Sequence, residues 1–170
     1  QAIARGPVAA FVAIKQLGTN GGGFYGPNSA HPLENPTWWS NLANTLAILL
    51  IPMAAVWMYG RMTGRLKHAG VLFVVMFVMV VALAGLAVWL EQAPTAALHD
   101  LPIAGSGNLE GKELRFGASA GPLWAVATTA TSNGSVNAMH DSLNPLTGLL
   151  PLAGMWLNVI FGGVGVGMIN

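Results

Sequence analysis

The sequence contains no cysteine among its 170 residues, and only 8% of the residues are charged. Without cysteine, the chain can form neither a disulfide framework nor a thiolate metal site. Soluble domains carry about 25% charged residues, so this composition, with 54% hydrophobic residues, indicates that lipid surrounds much of the chain. The formal net charge of +1 gives no reason to expect nucleic acid as a partner. We see no signal peptide and expect the chain to be a piece of a longer protein.

Two long uncharged stretches, residues 37–60 and 69–90, are the clearest features of the sequence. Each is longer than the ~20 residues that a predominantly apolar helix needs to cross a bilayer. The residues between them, 61–68, include Arg61, Arg65 and Lys67 and no acidic residue. Because short loops rich in Lys and Arg stay in the cytoplasm, we predict a cytoplasmic turn at 61–68 and extracytoplasmic outer ends for both helices.

Two shorter apolar segments, residues 6–17 and 117–130, are rich in small residues and too short to span the membrane. Both therefore indicate re-entrant half-helices. Pro7 suits the first turn of such a helix, and Lys15 suits the last turn, where a cation complements the helix dipole. A further apolar helix starts near residue 146, and a glycine-rich run interrupts it before residue 170.

A glycine-rich loop at residues 18–23 follows the first half-helix. Consecutive glycines permit backbone conformations with positive φ that other residues rarely adopt. Four such loops around one axis would form a ring of carbonyl oxygens that replaces the hydration shell of a cation. We therefore interpret this loop as one quarter of an ion filter. On this stretch alone, a flexible surface loop is the alternative.

An internal repeat supports the filter interpretation. Each block has Gly-Pro, a short apolar helix, Asn-Gly, a histidine and then Asn-Pro: Gly6-Pro7, Asn20-Gly21, His31 and Asn35-Pro36 in the first, and Gly121-Pro122, Asn133-Gly134, His140 and Asn144-Pro145 in the second. Two membrane crossings separate the blocks, so both Asn-Gly loops should face the same side. The C-terminal end of each half-helix, with its partial negative charge, would then favour a cation.

These residues resemble a known family. One set of motifs resembles the second filter of the potassium-binding A subunit of Kdp-type potassium-transporting ATPases: Gly18-Thr19-Asn20-Gly21-Gly22-Gly23-Phe24, Asn28-Ser29-Ala30-His31-Pro32 and Glu34-Asn35-Pro36-Thr37. A second set resembles its third repeat: Glu110-Gly111-Lys112-Glu113, Arg115-Phe116-Gly117, Thr128 to Val136, Ala138 to Ser142, and Phe161-Gly162-Gly163-Val164-Gly165. The resemblance covers nearly the whole chain.

The resemblance implies an all-α membrane protein built from potassium-channel-like repeats of outer helix, re-entrant half-helix, filter loop and inner helix. Residues 1–60 would be the second repeat, with half-helix 6–17, filter 18–23 and inner helix 37–60. Residues 69–170 would be the third, with outer helix 69–90, extracytoplasmic loop 91–115, half-helix 117–130, filter 131–136 and interrupted inner helix 146–170.

By the same resemblance, backbone carbonyls from both loops would bind K⁺, and a glycine run would form an intramembrane gate below them. The expected K⁺ ligands are Thr19, Asn20, Gly21, Gly22, Ser132, Asn133, Gly134 and Ser135, and the expected gate residues are Gly162, Gly163, Gly165 and Gly167. Close helix packing through small residues is the alternative for the glycine run. It lacks the Lys-Ser/Thr of a phosphate-binding loop, so we expect no nucleotide site.

The function implied is potassium selection for an ATP-driven uptake system in the inner membrane of a bacterium. ATP hydrolysis would belong to a partner P-type ATPase subunit, and a C subunit and a small single-helix subunit would complete the assembly with the lipid bilayer. A passive potassium channel or ion-coupled translocator is the alternative, and a purely structural membrane subunit is a second one.

Each of the remaining polar residues has a structural interpretation as well as a functional one. His31, His68, His99 and His140 lack the spacing of a metal site, and we expect His31 and His140 to hold the loops behind the filter by hydrogen bonds. Asp141, and with less support Glu34, would stabilise or charge the outer mouth. Lys112 and Arg115 are either the polar rim of a loop or an electrostatic tether near the pore.

Overall fold

The structure is a computed structural model that describes residues 6–18, 20–94, 107–158 and 160–161. Within these ranges the regular structure is helical, apart from one isolated antiparallel bridge between Lys112 and Ala138. The α-helices are α1 (Pro7–Leu17), α2 (Trp38–Met62), α3 (Leu66–Glu91), α4 (Gly117–Ala130) and α5 (Pro145–Leu157). The predicted all-α class is confirmed.

Helices α2 and α3 form the hairpin that the two apolar stretches predicted, and both are long and apolar enough to cross a membrane. Only 17% of the most apolar window of each helix is buried within the chain, so most of that surface is available to lipid. Both helices continue into the basic segment, which leaves only residues 63–65 as a turn. Hydropathy marks where the apolar surface ends, whereas Arg, Met and Lys are good helix formers and extend the helix further.

The two ends of this hairpin have defined local causes. Thr37 caps α2 by a capping box in which its hydroxyl accepts a hydrogen bond from the backbone N–H of Ser40. At the other end, a methyl group on Gly60 would overlap with the side chain of Ala69. The absence of a side chain at Gly60 thus allows α2 and α3 to approach closely beside their turn.

Helix α4 is the most buried element, and it packs against α2, α3 and α5. Trp124, at its centre, is fully buried with Ile48 of α2. The shorter α1 packs against α2. Both short helices, α1 and α4, therefore lie on the spanning hairpin with their C-terminal ends followed directly by the two Asn-Gly loops.

Helix α5 covers the first part of the interrupted inner helix that was expected over residues 146–170, and it ends at Leu157. Asn158 adopts a left-handed conformation with φ of 36°, and its N–H donates to the carbonyl of Gly154. A left-handed residue of this kind terminates a helix. The glycine run at 162–167 lies outside the described residues.

Candidate ion-binding site

The two Asn-Gly loops are in direct contact. A methyl group on Gly21 would overlap with the carbonyl oxygen of Asn133 and would lie 2.7 Å from the carbonyl carbon of Gly134. Reciprocally, a methyl group on Gly134 would lie 3.4 Å from the carbonyl oxygen of Asn20. Loops that are separated by more than a hundred residues thus meet at equivalent positions of the repeat.

The backbone of both loops adopts conformations that favour glycine. The φ angles are 57° at Gly21 and 102° at Gly22 in the first loop, and 61° at Ser132 and 83° at Gly134 in the second. In the second loop, left-handed residues flank Asn133. Glycine adopts such conformations without a steric penalty, whereas Ser132 adopts one as a residue with a side chain.

Most carbonyl groups of the two loops have no hydrogen-bond donor among the described residues. This holds for the carbonyl oxygens of Asn20, Gly21, Gly22, Ser132, Asn133 and Gly134. The carbonyl of Ser135 differs, because it accepts a hydrogen bond from the indole Nε1 of Trp124 at 2.9 Å. Carbonyl groups that accept no hydrogen bond from the protein remain available to water or to a cation.

The side chain of Asn133 joins the two repeats behind this cluster. Its Nδ2 lies 2.6 Å from the carbonyl oxygen of Gly18 and 3.1 Å from that of Lys15, at the end of α1. Its Oδ1 accepts a hydrogen bond from the backbone N–H of Ser135 at 3.1 Å. The last carbonyls of a helix have no partner within the helix, and here a side chain of the other repeat supplies one.

A buried ion pair joins α1 to the segment that follows the first loop. Lys15 Nζ lies 2.5 Å from Glu34 Oε2, and the two side chains are 6% and 0% exposed. Lys15 also donates to the hydroxyl of Ser29 at 2.8 Å, and Glu34 accepts from the backbone N–H of Tyr25 at 2.6 Å. The dipole interaction predicted for Lys15 is therefore accompanied by an ion pair that the sequence analysis did not find.

Arg115 connects the loop before α4 to the segment after the first filter loop. Its guanidinium donates to the carbonyl oxygens of Ala30 at 2.5 Å and Asn35 at 3.2 Å, and it pairs with Glu113. Of the two interpretations that the sequence left open, the structure favours a tether for Arg115. Lys112 instead forms a buried pair with Glu91, at 2.6 Å between Nζ and Oε1.

The two histidines of the repeat lie beside the loops in different environments. His31 stacks on Tyr25, with 3.9 Å between ring centroids, and its Nδ1 accepts from the backbone N–H of Leu33. Burial lowers the pKa of His140 below 6.5, and its Nε2 has no partner among the described residues. Asp141 next to it is exposed.

Some predicted site residues cannot be placed. Thr19 and the gate residues Gly162, Gly163, Gly165 and Gly167 lie outside the described residues. Conversely, sequence reasoning missed the side-chain roles of Asn133, Glu34 and Trp124. The recurrence of Asn20 and Asn133 in the repeat marked this position as important. The repeat did not show whether the side chain or the backbone carbonyl has the role.

Comparison with known proteins identifies the family of the chain. A family model described as "Potassium-transporting ATPase A subunit" matches residues 1–170. The chain belongs to this family. The resemblance stated from the filter motifs is thereby confirmed, and membership agrees with an all-helical chain that has two membrane-capable helices.

Curated relatives in the A-subunit family bear the name "Potassium-transporting ATPase potassium-binding subunit". The protein from Pseudomonas aeruginosa is 53% identical over 169 residues, which is 99% of this chain and 30% of the relative. The protein from Caldanaerobacter subterraneus is 51% identical over 172 residues. This match covers 100% of this chain and 31% of the relative. The chain thus spans about three tenths of the length of the A-subunit relatives that it matches.

Proposed function

We propose that this chain supplies two neighbouring quarters of a potassium filter in the A subunit of an ATP-driven potassium uptake system. The observation that carries the proposal is the contact between the two Asn-Gly loops, whose carbonyl oxygens lack hydrogen-bond donors among the described residues. Rings of backbone carbonyls select K⁺ by replacing its hydration shell. The loops bear no charged side chain, so neutral dipoles would perform this replacement.

Within this proposal the ligands are the carbonyl oxygens of Thr19, Asn20, Gly21 and Gly22 in one loop and of Ser132, Asn133 and Gly134 in the other. Ser135 was expected among them, but its carbonyl already accepts a hydrogen bond from Trp124. A backbone carbonyl has two lone pairs, so Ser135 stays in the proposed set with one lone pair left for K⁺. Residues 1–60 and 69–170 would be the second and third pore repeats.

The names of the relatives describe a potassium-binding subunit of an ATPase, and the further subunits are proposed from the resemblance of the filter motifs. ATP hydrolysis would take place on a P-type catalytic subunit, with a C subunit and a small single-helix subunit alongside, and this chain would bind no nucleotide. The assembly would lie in the bacterial inner membrane. The turn with Arg61, Arg65 and Lys67 would face the cytoplasm, and the filter loops would face outward. The glycine run Gly162–Gly167 would be the gate.

The test compares glycine substitutions in the complete transporter, measured as potassium uptake against increasing Na⁺. Gly21→Ser and Gly134→Ser introduce side chains where φ is positive and the other loop is in contact, and we expect both to lose discrimination between K⁺ and Na⁺. Gly85→Ala is the matched control, because a methyl group there meets no atom within 4 Å. Unchanged discrimination in both loop variants would favour a purely structural subunit.

A passive channel is the alternative function, and it requires a different measurement. Uptake of Rb⁺ from micromolar external concentrations should stop when ATP or the partner ATPase subunit is removed. Uptake that continues under these conditions would assign the two loops to a channel or an ion-coupled translocator.

A further inference from the structure

We propose that the side chain of Asn133 is a positioning residue that clamps the two filter loops together and thereby sets their preference for K⁺ over Na⁺. The inference rests on the proposed function, since it assigns a role to a side chain behind the proposed ligands. Asn133 itself is only 1% exposed, and its amide makes contacts with both repeats.

The amide nitrogen of Asn133 donates hydrogen bonds to carbonyl groups at the end of α1. Three carbonyl oxygens lie within reach of Nδ2: Gly18 at 2.6 Å, Lys15 at 3.1 Å and Gln16 at 3.4 Å. An Asn amide has two N–H donors, so Gly18 and Lys15 receive the better hydrogen bonds. These carbonyls carry the partial negative charge of the helix terminus. Unpaired, they would compete with the filter carbonyls for the cation.

The amide oxygen of Asn133 holds its own loop. Oδ1 lies 3.1 Å from the backbone nitrogen and 2.5 Å from the hydroxyl of Ser135. The carbonyl of Ser135 in turn accepts the hydrogen bond from Trp124 at the centre of α4. One amide therefore links the end of α1 to α4 and fixes the spacing of the two loops. The spacing of carbonyls decides which ion they fit.

The equivalent residue of the first loop does not take part in this junction. The side chain of Asn20 makes no hydrogen bond among the described residues, so the contact between these two repeats depends on Asn133.

The experiment substitutes Asn133 in the complete transporter and measures K⁺ and Na⁺ dependence of ATP hydrolysis between pH 6 and pH 8. Asn133→Asp keeps the shape of the side chain but replaces the N–H donors by an ionised oxygen at pH 8. We expect the preference for K⁺ over Na⁺ to fall by about tenfold, the effect of losing one or two hydrogen bonds. Burial beside the carbonyl oxygens of Gly18 and Lys15 disfavours the ionised form and raises the pKa of the introduced carboxyl, so its protonation as the pH decreases should restore one O–H donor and part of the preference.

Two further variants separate this effect from a general loss of packing. Asn133→Ala has no group to protonate, so it should lose the preference equally at pH 6 and pH 8. Asn44→Asp on α2 is the control, because the side chain of Asn44 makes no hydrogen bond among the described residues, and its preference should match that of the unchanged protein. The charged groups of the network behind Asn133 are Lys15 and Glu34, which pair with each other and are unchanged in sequence in all three variants.

The outcomes distinguish the clamp from the filter itself. If Asn133→Asp and Asn133→Ala keep the normal preference while Gly134→Ser loses it, the clamp is wrong and the filter stands. If all three keep it, both proposals are wrong. Should neither Asn133 variant assemble, Ser135→Ala removes the hydroxyl contacts to Oδ1 of Asn133 and to Oε1 of Gln16 on α1, and an unchanged preference in that variant would overturn the clamp.

Discussion

The carbonyl oxygen of Asn133 lies directly against the α-carbon of Gly21, at a distance that leaves no space for a side chain. Gly21 also has a φ of 57°, whereas Gly22, next to it, has a φ of 102° and open space around its α-carbon. Both glycines therefore have positive φ, with Gly22 further from the left-handed region that other residues can enter, but only Gly21 also packs against the second loop.

This difference gives the first prediction. Gly22→Ala should cost about 1–3 kcal/mol, the strain of a non-glycine residue at positive φ. Gly21→Ala adds an overlap with backbone atoms of the second loop, so we expect a greater loss of stability and weaker K⁺ binding. The measurement is the thermal unfolding midpoint and the apparent K⁺ affinity of the complete transporter. Equal effects of the two substitutions would contradict the loop contact.

The second prediction concerns the buried pair of Lys15 and Glu34. Removal of one partner leaves an uncompensated buried charge, which typically costs about 3–5 kcal/mol. Lys15→Met and Glu34→Gln should each lower the midpoint of thermal unfolding, and the double variant should lower it less than the sum of both. Lys67→Met is the control, since Lys67 is exposed in the turn region. Strictly additive single effects would show that the pair is not coupled.

The third prediction concerns the tether formed by Arg115. Its side chain is 24% exposed, so loss of its bonds to Ala30 and Asn35 should cost about 2 kcal/mol, near the lower end for hydrogen bonds from charged donors. Arg115→Gln should destabilise the transporter and accelerate proteolysis in the segment between residues 25 and 36. Arg65→Gln removes an exposed arginine of the turn and should have no such effect. A stable, protease-resistant Arg115→Gln variant would disprove the tether.

The fourth prediction is a dependence of stability on pH through His140. Burial lowers its pKa below the ordinary value of 6.5, so the unfolded chain binds a proton at a higher pH than the folded chain does. Above pH 6.5 both states are neutral and the full stability is present. As the pH falls below 6.5, only the unfolded state gains a proton, and stability decreases until the folded pKa is reached.

The check for His140 is a series of unfolding midpoints between pH 8 and pH 5. His140→Gln should flatten the part of the profile below pH 6.5, whereas His68→Gln, at an exposed position near the turn, should leave it unchanged. A profile that keeps its slope without His140 would assign the proton to another group.

The sequence predicted the elements whose length and polarity are fixed by the lipid bilayer or whose motifs repeat. Helices α2 and α3 were found because a bilayer requires long uncharged stretches, and the loops were found because Asn20-Gly21 and Asn133-Gly134 repeat. The pair of Lys15 and Glu34 was not found, because it joins a helix to an irregular loop that has no periodicity. The tether by Arg115 was left open for the same reason, since it spans 80 residues.

The reach of the Asn133 side chain has a consequence for the design of the pore. In a homotetramer, symmetry makes every subunit place the same residue in the same environment. In a single polypeptide with fused repeats, each contact between repeats can change alone. Here a side chain of the second loop binds the end of α1, so a substitution at this contact would alter one side of the pore and leave the other sides unchanged.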